Sequence, residues 1–597
     1  IITEEDVIDS GLSMGEEKLL IKEDRIYKII KIVNRKPDAS KDCKVMDTAS
    51  LSPSNNIVFW PEEGVVQGCK TKSSFDPSFL SETKEIDSLN FSDKLVGIQF
   101  KKGRDSKNWS RVDPIDVSII KKTDQEPTDS SCSEASNYFL YKEIIYLCSA
   151  KKEIYKLSPI VGDVGCSKNG ACYIDNDLKD VDIGIESGKI VKIGQVHEKA
   201  NHSIDASGLT VLPGCIDTQT HFREPGSTDT EDLASGSRAA IVGGITSVFE
   251  MPNTNPATTN REEFNRKIDL AKNRMYCNHA FYFGATPTNQ SELADLKGLD
   301  GCCGVKLFAG SSTGTLLVHK EEDIEKVFES TSKIVAVHSE DEDILNLRKK
   351  LREKGNVHSH PIWRDEECAI SSTRKIVKIA KRLGKKAHIL HITTKQEIDF
   401  LSQNKGDITF EITPQHLTMF APDCYDKLGT YAQMNPPIRE KSHYDRLWYA
   451  VRNNYNDTIG SDHAPHLRVN KDKEYPDTPS GMPGVQTLLP VMLNHVNDGK
   501  LTLVQLMNLV CENPAKIFGI IGKGYIKEDY DADFTIVDMN KIIEIKNEKI
   551  ESKCGWSPFD GHKFKGTPVY TIINGEIKMK DGEILGEASG KPIKFVN

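Results

Sequence analysis

LTVLPGCIDTQTHFREPG, residues 209–226, joins an apolar run typical of a buried strand to a polar cluster with a histidine and an arginine. Seven similar apolar runs follow it, and stretches with helical character separate them. The eight candidate strands are LTVLPGCID (209–217), TSVFEMPN (246–253), HAFYFGA (279–285), CGVKLFAG (303–310), KIVAVHS (333–339), KAHILHI (386–392), ITFEITP (408–414) and DTIGSDH (457–463). Strands that alternate with helices form a parallel sheet, and eight such units predict an α/β fold with a (β/α)8 barrel of the TIM type.

Segments with the pattern of β-hairpins flank the predicted barrel. VDIGIESGKIVKIG (181–194) precedes it, and ADFTIVD (532–538) and VYTIINGEI (569–577) follow it. We therefore predict a small β-sandwich domain that is built from segments on both sides of the barrel. Its predicted parts are residues 158–212 and 520–597, and the barrel is predicted to span residues 213–519.

The region before these segments, residues 1–157, alternates short β-like runs with polar stretches and contains no motif that indicates a function. We expect it to be β-rich, with a polar linker near 123–137, where TDQEPTDSSCSEASN has almost nothing to bury. The first residues, IITEED, include neither a methionine nor a leader pattern, which leaves open that the chain is processed or cut from a longer precursor.

The composition argues against several classes of partner. The 78 basic and 88 acidic residues give a net charge of −10, and no basic cluster interleaved with aromatic residues indicates a nucleic-acid surface. No apolar run approaches the roughly 20 residues of a membrane-spanning helix, so no membrane partner is expected. The 14 cysteines are scattered without a disulfide or zinc-finger pattern, which favours the reducing cytoplasm.

Residue types that bind metals stand at the ends of the predicted strands. In a barrel of this kind the C-terminal strand ends converge on a single mouth, where the active site lies. A lone histidine is seldom a metal ligand, but several at strand ends together favour that function. A divalent metal would supply the activated water that hydrolysis of a stable amide needs. The candidate ligands are His221, Lys306, His338, His391 and Asp462.

Lys306 is the unusual member of this set, because a protonated amine cannot bind a metal ion. It fits only as a neutral amine that carbon dioxide has carbamylated to give a bridging carboxylate. Considered alone, Lys306 would equally suit a buried lysine paired with an acid, and only its neighbours in the set favour the carbamate.

Eight motifs occur together in a characteristic order along the chain. They are GCIDTQTHFREPG (214–226), EMPNTNP (250–256), GVKLFAGSSTG (304–314), AVHSEDE (336–342), HILHITT (388–394), MNPPIR (434–439), GSDHAPH (460–466) and SGMPGV (480–485). This ordered set resembles the dihydroorotases, a cyclic amidohydrolase family within the amidohydrolase superfamily. The resemblance covers about three quarters of the chain, from roughly residue 158 to the end.

The resemblance implies roles for individual residues. It implies that His221, Lys306, His338, His391 and Asp462 hold one or two zinc ions and that Asp462 also acts as the catalytic proton shuttle. It further implies that the substrate is bound by Arg223, Asn253, Asn435 and His466. The guanidinium of Arg223 suits a bidentate pair with a carboxylate, although the same residue could form an ordinary surface ion pair. Residues 465–479 are polar and are expected to form a mobile flap over the barrel mouth.

The sequence departs from the family at Gln219. The usual His-x-His after the first strand is here Gln219, Thr220 and His221. An amide oxygen binds zinc less well than an imidazole, so this ligand position is degenerate. Three interpretations stay open: one tight and one weak metal, glutamine as an adequate ligand, or an inactive relative. A second departure, Gln415, lies outside the implied ligands.

The implied reaction is the reversible hydrolysis of (S)-dihydroorotate to N-carbamoyl-L-aspartate in de novo pyrimidine (UMP) biosynthesis. One alternative is a catalytically impaired, dihydroorotase-like scaffold subunit that partners aspartate transcarbamoylase. Another is a cyclic amidohydrolase of the allantoinase or hydantoinase type, since fold and metal centre do not separate these enzymes. The resemblance also allows a homo-oligomer.

Overall fold

The structure is a computed structural model that describes residues 170–196, 204–310 and 316–596, together with eleven β-strands nearer the N-terminus. The chain divides into two compact units, Ile1–Gly165 and Cys166–Asn597. The linker predicted at 123–137 lies outside the described residues.

The N-terminal unit contains two β-sheets. Its strands are β1 (Lys18–Lys22), β2 (Arg25–Lys31), β3 (Cys43–Met46), β4 (Asn56–Trp60), β5 (Val65–Thr71), β6 (Ile98–Lys101), β7 (Trp109–Arg111), β8 (Ile120–Lys122), β9 (Tyr138–Tyr141), β10 (Ile144–Cys148) and β11 (Ile154–Pro159). The first sheet has the order β1-β2-β4-β5-β3, and the second has the order β7-β6-β11-β10-β9-β8. The last of these strands, β11, runs to Pro159, two residues past the predicted domain boundary at residue 157. That boundary stays a prediction.

A seven-stranded sheet in the second unit is assembled from both sides of the barrel. Its strands are β12 (Ala171–Ile174), β13 (Asp177–Asp180), β16 (Thr210–Pro213), β25 (Phe534–Glu544), β26 (Lys563–Ile573), β27 (Glu576–Lys580) and β28 (Glu583–Ile584). A hairpin of β14 (Asp182–Glu186) and β15 (Lys189–Gly194) contributes Ile190 to the same hydrophobic cluster as Val211 and Phe534. Apolar faces from two sheets thus share one core, as in a sandwich.

Eight parallel strands form the barrel, in the order of the sequence. They are β17 (Cys215–Thr220), β18 (Ile245–Glu250), β19 (Asn278–Gly284), β20 (Cys302–Phe308), β21 (Val335–His338), β22 (Ala387–Ile389), β23 (Ile408–Ile412) and β24 (Thr458–Ile459). A parallel bridge between Thr220 and His463 joins the last strand to the first. The predicted (β/α)8 barrel with a small flanking β-sandwich is therefore confirmed.

Helices connect the barrel strands and follow the last of them. They are α1 (Leu233–Val242), α2 (Arg261–Ala271), α3 (Gln290–Ala294), α4 (Glu321–Ser330), α5 (Glu342–Arg348), α6 (His360–Trp363), α7 (Glu366–Leu383), α8 (Lys395–Ser402), α9 (Asp423–Leu428), α10 (Lys441–Arg452), α11 (Arg468–Lys471), α12 (Leu488–Asn497), α13 (Leu503–Met507) and α14 (Asn513–Phe518). The longest, α7, is capped at its start by the Asp365 side chain, which accepts from the backbone N–H of Cys368, and it is followed by Gly384, which has a φ of 61°. In the described part of the chain, no helix is long and apolar enough to cross a bilayer.

Side chains alternate between two cores along the barrel strands. On β18, Val248 belongs to the cluster beneath the helices, whereas Phe249 belongs to the cluster inside the barrel. The C-terminal segment adds Ile593 to this inner cluster, and Ile593 N donates to His279 O at 2.9 Å. The barrel interior is therefore a packed core below the site at its C-terminal end.

Candidate active site

The candidate ligands occupy the C-terminal ends of five barrel strands. Gln219 lies near the end of β17 and His221 directly follows it. Lys306 lies in β20, His338 closes β21, and His391 and Asp462 follow β22 and β24 within a few residues. All six side chains are buried.

His338 and His391 form one pair of nitrogen donors. His338 Nδ1 lies 3.0 Å from His391 Nε2. The other ring nitrogen of His338, Nε2, is 2.8 Å from the Glu340 carboxylate, and Arg364 Nε donates to that carboxylate at 3.2 Å. A carboxylate on Nε2 fixes the proton there and leaves the lone pair on Nδ1, where a metal would bind.

His221 and Asp462 form a second pair of donors. His221 Nε2 lies 3.3 Å from Asp462 Oδ1, and Gln219 Nε2 donates to the same oxygen at 2.8 Å. On the far side of the ring, His221 Nδ1 is 2.8 Å from Asn253 Oδ1, an acceptor that holds the proton on Nδ1. The lone pair of Nε2 is then directed at the site.

The electrostatics favour ligands that are ready to bind a metal. Burial lowers the pKa values of His221, His338 and His391, so their imidazoles stay neutral at neutral pH. Burial also lowers the pKa of Lys306 to about 7. Burial alone would raise the pKa of Asp462, but the neighbouring groups His221, His391 and Lys306 hold it well below its usual range.

These donors suit a zinc-type ion. Two ligands of a tetrahedral zinc ion, with bonds of about 2.0–2.1 Å, are separated by roughly 3.3 Å, which is close to the separation in both donor pairs. Buried atoms without a hydrogen-bond partner, among them Gln219 Oε1 and His391 Nδ1, indicate that the site is incomplete as a purely protein network. Within the described residues the donors occur as pairs, and no group of three or more His, Cys, Asp or Glu side chains forms a metal cluster.

Three of the implied substrate-binding residues lie near the His221–Asp462 donor pair. Arg223 and His466 lie beside each other, and Asn253 contacts His221. Arg223 Nη2 donates to Pro465 O at 3.3 Å and lies 3.5 Å from His466 Nε2. Arg223 Nε is buried without a partner, and the negative charge with the largest effect on the pKa of this guanidinium is that of Asp462. Asn253 contacts His221, as described above, so its amide is already engaged on one side.

Asn435 is held by a histidine that the sequence did not single out. His360 Nε2 lies 3.1 Å from Asn435 Oδ1 and 3.0 Å from Met434 O. Burial lowers the pKa of His360 to about 3, so the ring is neutral and donates from Nε2.

Sequence reasoning also missed Glu340, Arg364 and the contact of Gln415. Glu340 stands two residues after His338 in AVHSEDE, so an acid beside a candidate ligand was an available signal. Arg364 is distant in sequence from both residues and offered none. Gln415 is no ligand, but its Nε2 donates to Ser461 O at 2.9 Å, next to Asp462.

Known proteins resemble this chain over most of its second unit. Residues 210–578 match the sequence profile described as Amidohydrolase family. A dihydroorotase of Methanosarcina mazei is 36% identical over 427 residues, which cover 69% of this chain and 93% of that relative. A dihydroorotase of Pyrococcus abyssi is 34% identical and covers 71% of this chain and 97% of the relative. The chain therefore belongs to the amidohydrolase family and, within it, to the dihydroorotases.

Solved structures of related enzymes share the fold. An L-hydantoinase (dihydropyrimidinase) from Arthrobacter aurescens superposes with a TM-score of 0.69 at 28% identity, and covers 71% of this chain and 98% of that one. The N-terminal 165 residues lie outside the profile match.

Proposed function

We propose that this protein is a zinc-dependent dihydroorotase that interconverts (S)-dihydroorotate and N-carbamoyl-L-aspartate in pyrimidine biosynthesis. The observation that carries the proposal is the position of Arg223, which adjoins His466 and interacts electrostatically with Asp462 of the His221–Asp462 donor pair. A hydantoin ring carries no carboxylate for such a guanidinium, whereas dihydroorotate does.

The metal ligands would be His221, Lys306, His338, His391 and Asp462, with Gln219 at a weakened position. A metal held there would supply Lewis acidity, which activates water and polarises the amide carbonyl. Lys306 would contribute as a carbamate: its neutral amine forms a C–N bond to carbon dioxide and loses a proton to water. Burial of Nζ, which lies 4.6 Å from the centre of the Phe308 ring, favours the neutral amine that this step needs.

Asp462 would move the proton. Its low pKa keeps the carboxylate ionised at neutral pH, so it can accept the proton of the attacking water and pass it to the ring nitrogen that leaves. Arg223 and His466 would hold the substrate carboxylate, while Asn253 and Asn435 would bind the ring. The nine cysteines from Cys172 to Cys554 are buried free thiols, which supports a cytoplasmic location.

The test is turnover by purified full-length protein supplied with zinc. We expect it to cyclise carbamoyl aspartate and open dihydroorotate, and to prefer both to allantoin and hydantoin. Faster turnover of allantoin would contradict the assignment. Complete inactivity with zinc, combined with stable binding of an aspartate transcarbamoylase, would instead support the scaffold alternative.

A further inference from the structure

The segment after Asp462 is fixed to its surroundings, although the sequence predicts a mobile flap at 465–479. It contains the short helix α11, and its Lys471 and Tyr475 side chains are buried. Tyr475 OH accepts from Trp363 Nε1 at 2.8 Å. The segment is therefore packed against the barrel mouth rather than projecting from it.

Lys471 provides the most unusual of these attachments. Its Nζ donates to three backbone carbonyls: Gln433 O at 3.2 Å, Pro479 O at 3.0 Å and Gly481 O at 3.2 Å. An ammonium group has three N–H donors, so each donor has one acceptor. No ion pair of Lys471 occurs among the described residues, and burial lowers its pKa to about 7, so the three carbonyl acceptors are what favours the protonated form. Burial of such a cation is costly unless it has hydrogen-bond partners.

The three carbonyls belong to the two loops that carry substrate-binding candidates. Gln433 precedes Asn435 by two residues, and Gly481 follows Ser480, whose carbonyl accepts from His466 Nε2 at 3.0 Å. Gln433 reinforces the link, because its Nε2 donates to Ser480 Oγ at 3.0 Å.

Trp556 contacts both the His466 loop and Lys471. Its Nε1 donates to His466 O at 2.7 Å, and the Lys471 ammonium lies 5.8 Å from the ring centre. A cation at this distance from an indole is stabilised by the ring electrons. Lys471 thus occupies the centre of a cage that fixes the backbone around His466.

We propose that Lys471 is a positioning residue for substrate binding, which holds the Asn435 and His466 loops in the geometry that receives the substrate. This inference rests on the proposed dihydroorotase function. Its physical basis is preorganisation: loops that are ordered before binding lose less conformational entropy when the substrate arrives. Lys471 Nζ donates to backbone carbonyls and is not one of the proposed substrate-binding residues, so its removal should change the affinity for substrate rather than the rate of the chemical step.

The first experiment compares Lys471→Met with Lys473→Met, an exposed lysine of the same segment. Methionine keeps most of the aliphatic stem and removes the three donors. We expect the KM for dihydroorotate to rise at least tenfold in Lys471→Met, with kcat within about threefold of the parent and metal content unchanged. Lys473→Met should match the parent. A fall in kcat with an unchanged KM, or loss of metal, would overturn the proposal.

The second experiment does not depend on activity. Amide hydrogen exchange in full-length protein should become faster across 467–481 and 433–435 in Lys471→Met and stay unchanged elsewhere in the barrel. Gln433→Leu removes the hydrogen bond from Gln433 to Ser480, which joins the same two loops. This variant tests the proposal if Lys471→Met fails to fold. It should raise exchange in the same two stretches. Unchanged exchange in both stretches would overturn the positioning role, whereas parent protein without dihydroorotase activity but with the predicted exchange pattern would overturn only the proposed function.

Discussion

At the scale of single residues, the Gln219 amide directs its nitrogen at Asp462 and leaves its buried oxygen without a hydrogen bond. Rotation about the last side-chain bond exchanges the two atoms, and would bring the oxygen towards the site. An amide oxygen is nevertheless a poorer zinc ligand than the imidazole that the family pattern has there. The consequence should be a lower affinity for one metal.

Gln219→His should restore that affinity. We expect the parent protein to hold one metal firmly and a second weakly, with activity that rises on addition of zinc, and the variant to hold two. The parent should bind the second metal at least about 10-fold to 100-fold more weakly than the variant does, because removal of a residue that only supports a metal ligand already costs this much affinity. Metal per chain, measured by mass spectrometry after dialysis, decides the question. Gln415→His is the matched control, because Gln415 is equally buried but contacts only the backbone beside Asp462. Two tight metals in the parent would contradict this account.

Asp462→Asn should abolish turnover and preserve the fold. The amide keeps the shape of the side chain and its contacts with Gln219 and His221, but it cannot accept a proton at neutral pH. Rate measurements with circular dichroism as the fold check would test this, with the exposed Asp229→Asn as control. Activity within tenfold of the parent would mean that another group moves the proton.

Arg223→Ala should weaken binding of dihydroorotate and leave the metal in place. Truncating a buried partner of a charged pair costs on the order of 2–5 kcal/mol. Arg238→Ala, which removes an exposed ion pair with Glu551, should have little effect on binding. Calorimetric titration with the substrate analogue orotate measures the difference, and loss of metal in Arg223→Ala would show a structural role instead.

At the scale of elements, all eight barrel strands were predictable, because each is a short apolar run. The first candidate, residues 209–217, is wrong in one respect: it contains β16 of the small sheet and the start of β17 of the barrel. The break falls at Gly214, where a Cβ atom would lie 2.4 Å from Thr246 Oγ1. Hydrophobicity continues through this break, so the pattern could not reveal that the strand changes sheets. The positioning role proposed for Lys471 could not be predicted either, because its partners are backbone carbonyls. Every residue type has such a carbonyl, so the sequence contains no pattern for this contact.

The C-terminal segment around Ile593 packs against residues that are far from it in the sequence. Ile593 is fully buried in the barrel's inner cluster, whereas Val596, three residues later, is 66% exposed. Ile593→Ala should lower the free energy of unfolding by about 2–5 kcal/mol, and Val596→Ala should change it by less than about 0.5 kcal/mol. Urea unfolding of both variants tests this. Equal effects would mean that the segment does not pack under the barrel.

At the scale of the whole molecule, neutral histidines are buried well away from water. Apart from the donor pairs, burial lowers the pKa of His279, His416 and His443 to about 4 and that of His360 and His495 to about 3. An unfolded histidine has a pKa of about 6.5, so below this pH the unfolded chain takes up protons that the folded protein excludes. The stability that these neutral rings contribute is therefore fully present above about pH 6.5 and is lost as the pH falls towards 4.

Each such histidine contributes up to about 1.4 kcal/mol per pH unit to this loss. The urea midpoint of metal-free protein, kept with a chelator, should fall steeply between pH 6 and pH 4. His495→Gln should reduce the slope by about the share of one histidine. A midpoint independent of pH in this range would refute the assignment of neutral buried rings.

The seven-stranded sheet has a consequence for synthesis of the protein. Thr210 of β16 pairs with Val537 of β25, so the first strand waits for a partner that the ribosome adds roughly 300 residues later. At about 5–20 residues per second, this interval lasts roughly a quarter of a minute to a minute. During that time β12 and β16 expose an unpaired edge, a natural place for a chaperone to bind or for nascent chains to aggregate. The whole barrel emerges before the sheet that brackets it can close.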